Sequence, residues 1–484
     1  MALAQLALFA DSVLMPASLS FQDSFSHDGF WWLPTNPDEQ IGGTLTFSQQ
    51  DGAILQLLGM FGGIIGMMKD RDERITIHGI TKDGKQITLF NAFVKNSQIL
   101  APGIANELYR AHLICVGQHM GAEDDAIFDK SFCRFERLED WLVISPFTQE
   151  WEFDPPKLNL RVDKGQSEEL TAFGDYKIGK SSNMNTGGSD RTEFTVKVQS
   201  FLYCETVEPK PLAEHFRVAN RLQELASLCT GHFLPMTHLH LRVEGTETKD
   251  RPPKEVEVFA QMQHPEAGSR PKHEHPLFAV RELLNANDRA IENWFNQYET
   301  LSPAINLFFA VTGERQMFVN VQFLLAIQAL EVFHRRTTPG TLMPKGEFKK
   351  LRQRLVEAIP TDIAPDMIEK LKGAYNFANE PSLMQRLQAI LALVNEDFGE
   401  VVPGFADRFA RKVVDTRNYN THFTAKLETK SMDGGEMYWA TRRIIMLLTY
   451  LFLKNIGVMA PAFRDALERH QEFEALFARP GAPV

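Results

Sequence analysis

The sequence predicts a multidomain α+β protein, in which a β-rich N-terminal region, a sandwich or barrel, is followed by an all-helical bundle. Three observations carry this. Up to about residue 260 apolar and polar residues mostly alternate, the period of half-buried strands. After about residue 277 apolar residues recur every three or four positions, the period of helices, and no strand-like run intervenes. Between these halves lies "EGTETKDRPPKEVEVFAQMQHPEAGSRPKHEHP" (244–276), where five prolines and many charges surround one short strand, the composition of a junction. The expected division is therefore a β-rich region over 1–260, which the "DPPK" at 154–157 could split into two lobes near residue 155, a Pro-rich junction over 261–276, and a bundle over 277–484. At 484 residues the chain is too long for a single core.

In chain order, "GGTLTFSQQDGAILQLLG" and "RITIHGITKDGKQITLF" each place Asp-Gly between alternating runs, the strong short-range hairpin signal. "AHLICVGQHM", "LNLRV", "FTVKVQSFLY", "THLHLRV" and "EVEVFAQM" read as further strands. One helix interrupts them, "PLAEHFRVANRLQELASLCTG" (211–231), with Pro at its start and Gly after its end. The second half supplies seven helix-length segments punctuated by Gly, Pro or Asn, from "HPLFAVRELLNANDRAIENWFNQYE" to "GEMYWATRRIIMLLTYLFLKNIG".

Composition narrows the function classes. Four widely scattered cysteines with no CxxC read as reduced core thiols, which favours the cytoplasm over a secreted setting. The apolar start "MALAQLALFADSVLMPASLSF" has no Lys or Arg before it, against an export signal. "AILQLLGMFGGIIGMM" (53–68) and "IIMLLTYLFL" (444–453) fall short of the roughly 20 residues of a membrane-spanning helix, so no membrane partner is expected. Net charge is -11, unevenly placed. Residues 1–300 hold 28 basic against 42 acidic side chains, or -14, whereas 301–484 hold 23 against 20, or +3, so the halves are expected to do different work.

The motif that carries chemistry is "DTRNYNTHFT" (415–424). Arg and His with four to six residues between them are common by chance. With 28 Arg and 14 His, roughly 2.4 matches are expected from composition alone, and four occur: Arg71/His78, Arg270/His275, Arg417/His422 and Arg464/His470. Only Arg417/His422 combines a helical support, apolar flanks and a polar run that a structural helix does not need: Asn418, Tyr419, Asn420 and Thr421. Five residues of helix separate the pair by about 7.5 Å along the axis and about 140° around it. Asn418, four residues before His422, shares the histidine's face and is placed to hold its ring. A group that titrates near neutrality can move the proton of a ribose hydroxyl, and a guanidinium fork matches a phosphate. Neither needs a metal or other cofactor.

"RNYNTHF" (417–423) resembles the Arg-Asn-spacer-His-(Tyr/Phe) signature of the HEPN superfamily of helical-bundle ribonucleases. "FLLAIQALEVFHRR" (323–336) and "NEPSLMQRLQAIL" (379–391) are similar to the ApeA-type HEPN domain of bacterial anti-phage proteins. "GFWWLP", "GGTLTF" and "ITIHGITKDGKQITL" look, more loosely, like the β-rich ApeA N-terminal domain. The resemblance implies a metal-independent endoribonuclease acting in abortive infection, with RNA as substrate and tRNA as a candidate target. It implies catalysis by Arg417 and His422, assistance from Asn418, a homodimer formed through the helical domain, and a phage protein as trigger at the N-terminal region.

Each assignment has a plainer counterpart. Without the resemblance, Arg417 and His422 read as a surface face, and the rival function is a non-catalytic nucleotide- or protein-binding bundle with a β-sandwich sensor. A third reading lets the sandwich alone bind carbohydrate or peptide. Glu331, between Gln328 and Arg335 on an apolar helix, and Tyr419 are supporting candidates; Arg411, Lys412 and Arg335 are candidate RNA-binding cations. "KKLRQR" (349–354) reads better as a solvated face than as a backbone track. His238 and His240 share a strand face, and "KHEH" (272–275) adds two histidines, but no third ligand is apparent and no metal site is expected. "GMFGGIIG" (59–66) lacks the Lys-Ser/Thr of a phosphate loop.

Overall fold

The computed structural model describes residues 19–62, 73–98, 103–123, 126–187, 192–243, 246, 253–262, 275–313, 317–338, 340–399 and 405–469. The apolar start, the end of the glycine-rich run at 59–66, residues 263–274 of the junction with most of "KHEH", and Arg71, Arg270 and His470 of the competing Arg/His pairs lie outside the described residues. The chain divides into two compact units, Met1–Glu282 and Leu283–Val484.

The first unit opens with β1 (Phe25–Leu33), β2 (Asn36–Ser48), β3 (Gly52–Leu57), β4 (Ile75–Thr81), β5 (Gln86–Gln98) and β6 (Asn106–Ala111). All their pairings are antiparallel, and the order β1-β2-β3-β6-β5-β4 returns to β1, closing a six-stranded barrel. Both Asp-Gly sites are hairpin turns, with Gly52 and Gly84 at φ 74° and 81°, a conformation that glycine adopts without a steric cost. Alternation along each strand sends Leu45, Phe47, Leu55, Leu57, Ile77 and Tyr109 inward. The Trp31 indole lies against Gly79, where a β-carbon would sit 2.2 Å from the ring, so the barrel closes around an aromatic that only glycine admits.

Then follow β7 (Leu113–Val116), β8 (Ile127–Phe135), α1 (Leu138–Leu142), β9 (Phe147–Phe153), β10 (Pro156–Val162), β11 (Glu168–Phe173), β12 (Tyr176–Gly187), β13 (Thr195–Pro211), α2 (Leu212–Thr230), β14 (Met236–Arg242) and β15 (Glu255–Ala260). Strand β5 links barrel and open sheet. Its first part, Ile87–Phe90, pairs with β7, and its second, Phe93–Gln98, with β6; the strand kinks between them at Asn91, whose φ is 53°. From β7 the sheet runs antiparallel through β15, β14, β8, β13, β12 and β11. Helix α2 covers it, packing on β8, β13 and β14 as its apolar spacing foretells. The "DPPK" segment is a turn, not a linker: it joins β9 to β10 in a separate two-stranded hairpin.

Helix α3 (Val280–Ala286) spans the unit boundary. The second unit continues through α4 (Ala290–Gly313), α5 (Val319–Thr337), α6 (Lys345–Glu357), α7 (Pro365–Phe377), α8 (Leu383–Phe398), α9 (Phe405–His422), α10 (Ala425–Glu428), α11 (Gly434–Asn455) and α12 (Ala460–Glu468). Two boundaries differ from expectation. The segment read as one helix from 275 to 299 is two, because Asn287 turns its side chain onto the Ile456 carbonyl (2.7 Å) and its carbonyl oxygen accepts from Ala290 N–H. The second of these then runs through Pro303 to Gly313, joining a segment that had carried no assignment. Helices α5, α8 and α9 pack together, and α11 lies on α5. The core joins Phe323, Leu330 and Phe333 of α5, Leu387 and Ile390 of α8, Phe409 and Val413 of α9, and Leu448 and Phe452 of α11.

Candidate active site on helix α9

Helix α9 is positioned by one stripe: Phe409, Ala410, Val413 and Thr416 are at most 1% exposed, at the three- and four-residue spacing that fills a helix interface. Its last residues, Asn418-Tyr-Asn-Thr-His, are poor helix formers. Side chains hold them instead. Thr416 Oγ1 donates to the Lys412 carbonyl (2.7 Å) and accepts Met432 N–H (2.9 Å), Asn420 donates to the Thr416 carbonyl (2.9 Å), and Thr421 to the Arg417 carbonyl (2.7 Å). The helix stops at His422. Phe423 follows in the left-handed region at φ 49°, its N–H on the Tyr419 carbonyl and its ring edge-on to Tyr419 at 5.6 Å. A left-handed residue with a bulky side chain stores strain that its surroundings must offset.

This end sets the geometry of the motif. His422 was expected within a continuous helix; it is instead the terminal helical residue, exposed. Arg417 is half-buried on the shoulder of the apolar stripe, and its Nη1 donates to Asn418 Oδ1 at 3.2 Å. Asn418 thus engages the guanidinium, whereas the sequence had assigned it to the histidine ring. Arg411, Asn418 and His422, separated by seven and four residues, form one outward stripe beside Arg417. Among the described residues Arg417 takes part in no ion pair and the His422 ring in no hydrogen bond.

The supporting candidates divide. Tyr419 makes a ring contact with Phe423, and nothing among the described residues joins its side chain to Arg417 or His422. Glu331 is bound to Arg335 on its own helix (3.0 and 3.2 Å), and nothing among the described residues joins it to Arg417 or His422. Arg335 also pairs with Glu380, so two carboxylates offset its charge. Lys412 meets Glu436 at 3.6 Å, and Arg411 alone of the three candidate cations is exposed and outside any ion pair among the described residues.

Sequence reasoning missed the Arg386–His334 contact. Arg386 (4% exposed) donates from Nη1 toward His334 Nδ1 at 3.2 Å and from Nε to the Pro381 carbonyl at 3.1 Å. Burial, reinforced by the Arg386 charge, lowers the His334 pKa, and burial likewise lowers that of Arg386. The only sequence signal was an Arg and a His on apolar helix faces 52 residues apart.

The model of the ApeA N-terminal domain 1 matches residues 26–294, more than half of the chain. The chain belongs to the ApeA-like family. The Apea-like HEPN model matches residues 324–461, so the bundle, with helix α9 in it, is an ApeA-like HEPN domain. No characterised protein and no solved structure matches the chain. The HEPN match gives the ApeA-like chain a nuclease or RNA-related role in ApeA-type defence, and HEPN domains commonly dimerise and bind RNA. Among the described residues of this ApeA-like chain no helix is long and apolar enough to cross a membrane, and no group of three His, Cys, Asp or Glu side chains could hold a metal ion.

Proposed function

We propose that the chain is a metal-independent HEPN endoribonuclease of phage-triggered abortive infection. Arg417 and His422 are its catalytic pair and Asn418 fixes the guanidinium. The observation that carries this reading is a half-buried Arg417 oriented by a neutral amide, with its charge left for a phosphate, one turn before an exposed imidazole at the helix end.

In the reaction the imidazole of His422 takes the proton of a ribose 2′-hydroxyl. The 2′-oxygen forms a bond to the adjacent phosphorus, the bond from phosphorus to the 5′-oxygen breaks, and that oxygen leaves with a proton. The products are a 2′,3′-cyclic phosphate and a 5′-hydroxyl. Arg417 supports the charge that accumulates on the phosphate oxygens. One imidazole per chain accepts the first proton; the second, donated to the leaving oxygen, comes from His422 of a second copy in a homodimer built on the α9 face. Arg411 steers the RNA backbone, with tRNA as a candidate substrate, and the acidic β-rich unit receives the phage protein trigger in the cytoplasm.

The test is incubation of the purified full chain with total tRNA in EDTA, followed by mapping of RNA ends. Cyclic-phosphate ends that disappear in His422→Ala and Arg417→Ala support the assignment. Cleavage undiminished in His422→Ala, or RNA bound but never shortened by the wild type, would overturn it.

A further inference from the structure

The barrel carries a cationic cleft that the ribonuclease reading does not use. It encloses about 440 Å³, within the range of small-molecule sites, and is lined by Arg74, Asn91, Phe93, Arg110, His112 and Gln261. It lies where β5 kinks at Asn91 from barrel to open sheet.

Two features make it a built site. Gln261 donates from Nε2 to the carbonyls of Gln49 (3.0 Å) and Gln50 (3.1 Å), so its Oε1 must face away from them, and there it accepts Arg110 Nη2 at 2.7 Å. Gln49 is itself locked, donating to the carbonyls of Phe21 (2.7 Å) and Ala260 (3.0 Å) while accepting Met262 N–H (2.8 Å). A β-carbon at Gly52 would come within 3.1 Å of Gln261 Oε1 and 3.4 Å of Arg110 Nη2, so a side chain there would crowd this contact. Arg110 is therefore oriented by a neutral amide, which leaves its charge and most of its five donors available. Directly across from it on β5 is Phe93, with the Arg74 guanidinium carbon 4.0 Å from the ring centroid. Among the described residues neither arginine takes part in an ion pair, in a half of the chain that carries -14.

Two guanidiniums outside any ion pair among the described residues call for a phosphate. The cation resting on Phe93 presents its outer face to a planar ring, as guanidinium planes do for nucleobases. We propose that this cleft binds a nucleotide, its phosphates on Arg110 with His112 alongside and its base stacked over Arg74 and Phe93.

The test measures binding of ATP, GTP, CTP and UTP to the full chain in EDTA, with tripolyphosphate and adenosine as competitors. At least one triphosphate is expected to bind, with affinity falling ten-fold or more in both Arg110→Gln and Arg74→Gln and unchanged in Arg417→Ala, which separates this cleft from the HEPN site. Melting temperatures without ligand report whether the variants fold; Arg74 is exposed and outside the glutamine lock, so its variant decides if Arg110→Gln does not fold. Binding by none of the four, binding that survives Arg74→Gln, or binding lost in Arg417→Ala would overturn the proposal. Tripolyphosphate competing as well as the triphosphate reduces the cleft to an anion site and overturns the nucleotide assignment.

Discussion

His240 of the β-rich unit and His422 of the helical unit both sit on regular elements, yet only one of them is exposed to solvent. His240 is 3% exposed on β14, its ring stacked on His238 with centroids 5.9 Å apart and flanked edge-on by Phe201. Burial, then the His238 charge, pushes its pKa down to about 3. Alternation on a strand drives i and i+2 side chains into the same covered layer. His422 closes a helix whose apolar positions Phe409, Ala410 and Val413 are buried, and its own side chain is exposed. Element and termination, more than residue type, thus decide whether a histidine side chain reaches solvent.

The two histidines are expected to differ most in their effect on rate. His422→Ala is expected to lower RNA cleavage by about 10²–10⁴-fold, the usual contribution of positioned proton transfer. His240→Leu should leave the rate per folded molecule within about two-fold. Rates measured on the same tRNA, normalised by near-ultraviolet circular dichroism, check both; equal losses in the two variants would erase the distinction.

A second effect sharpens it from the other side. Glu255, 4.0 Å from His240, is raised to about 7 by burial and by Glu257, with Arg242 opposing. The folded state thus holds a proton on Glu255 that the unfolded chain has released above about pH 4.5, so this group's stabilisation is full below 4.5 and is lost as pH rises through 7. His240 has the opposite sign: its stabilisation is present above its unfolded value of 6.5 and is lost as pH falls. Between pH 4.5 and 6.5 the two slopes oppose each other. Glu255→Gln should match the wild type below pH 4.5 and exceed it by up to about 3 kcal/mol above pH 7, because each pH unit between the unfolded and folded values is worth about 1.4 kcal/mol. Urea denaturation across that range measures the difference; a constant offset at every pH would show that Glu255 does not titrate.

The two units also differ in how much their sequence disclosed. Local signals survived folding: Asp51-Gly52 and Asp83-Gly84 are turns, and 211–231 holds a helix with Gly231 left-handed at its end. Barrel closure was not legible, because β3 pairs with β6 across some fifty residues and no local pattern fixes a distant register. At the site, residue types and spacing marked Arg417 and His422, but not which partner Asn418 takes, since its amide lies within reach of both the adjacent arginine and the histidine one turn on. Nor could spacing show that Arg335 is offset by Glu380, 45 residues away.

Thr416 tests the support of the helix end. Its hydroxyl is fully buried and accepts Met432 N–H at 2.9 Å while donating to Lys412. Thr416→Val keeps the volume and strands that buried donor, which costs about 1–3 kcal/mol. Denaturation should show this loss, and cleavage should fall with it, as the turn carrying Arg417 frays. A stable variant with reduced cleavage would assign the threonine to chemistry instead of support.

The smallest effect is expected on the β9–β10 hairpin. Its register puts Phe147, Trp151 and Phe153 on one face with Leu158 and Leu160, all exposed, while Thr148, Glu150 and Glu152 take the other with Lys157 and Arg161. Trp141, a few residues earlier, is fully buried. If exposure governs stability here as it governs proton access at the histidines, Trp151→Ser should shift unfolding by no more than about 0.5 kcal/mol, whereas Trp141→Ala should cost about 3–5 kcal/mol. Denaturation of the monomeric chain at low concentration measures both. A Trp151→Ser loss above about 1 kcal/mol would mean that this apolar face is covered in solution, and a loss that grows with protein concentration would trace the cover to another copy of the chain.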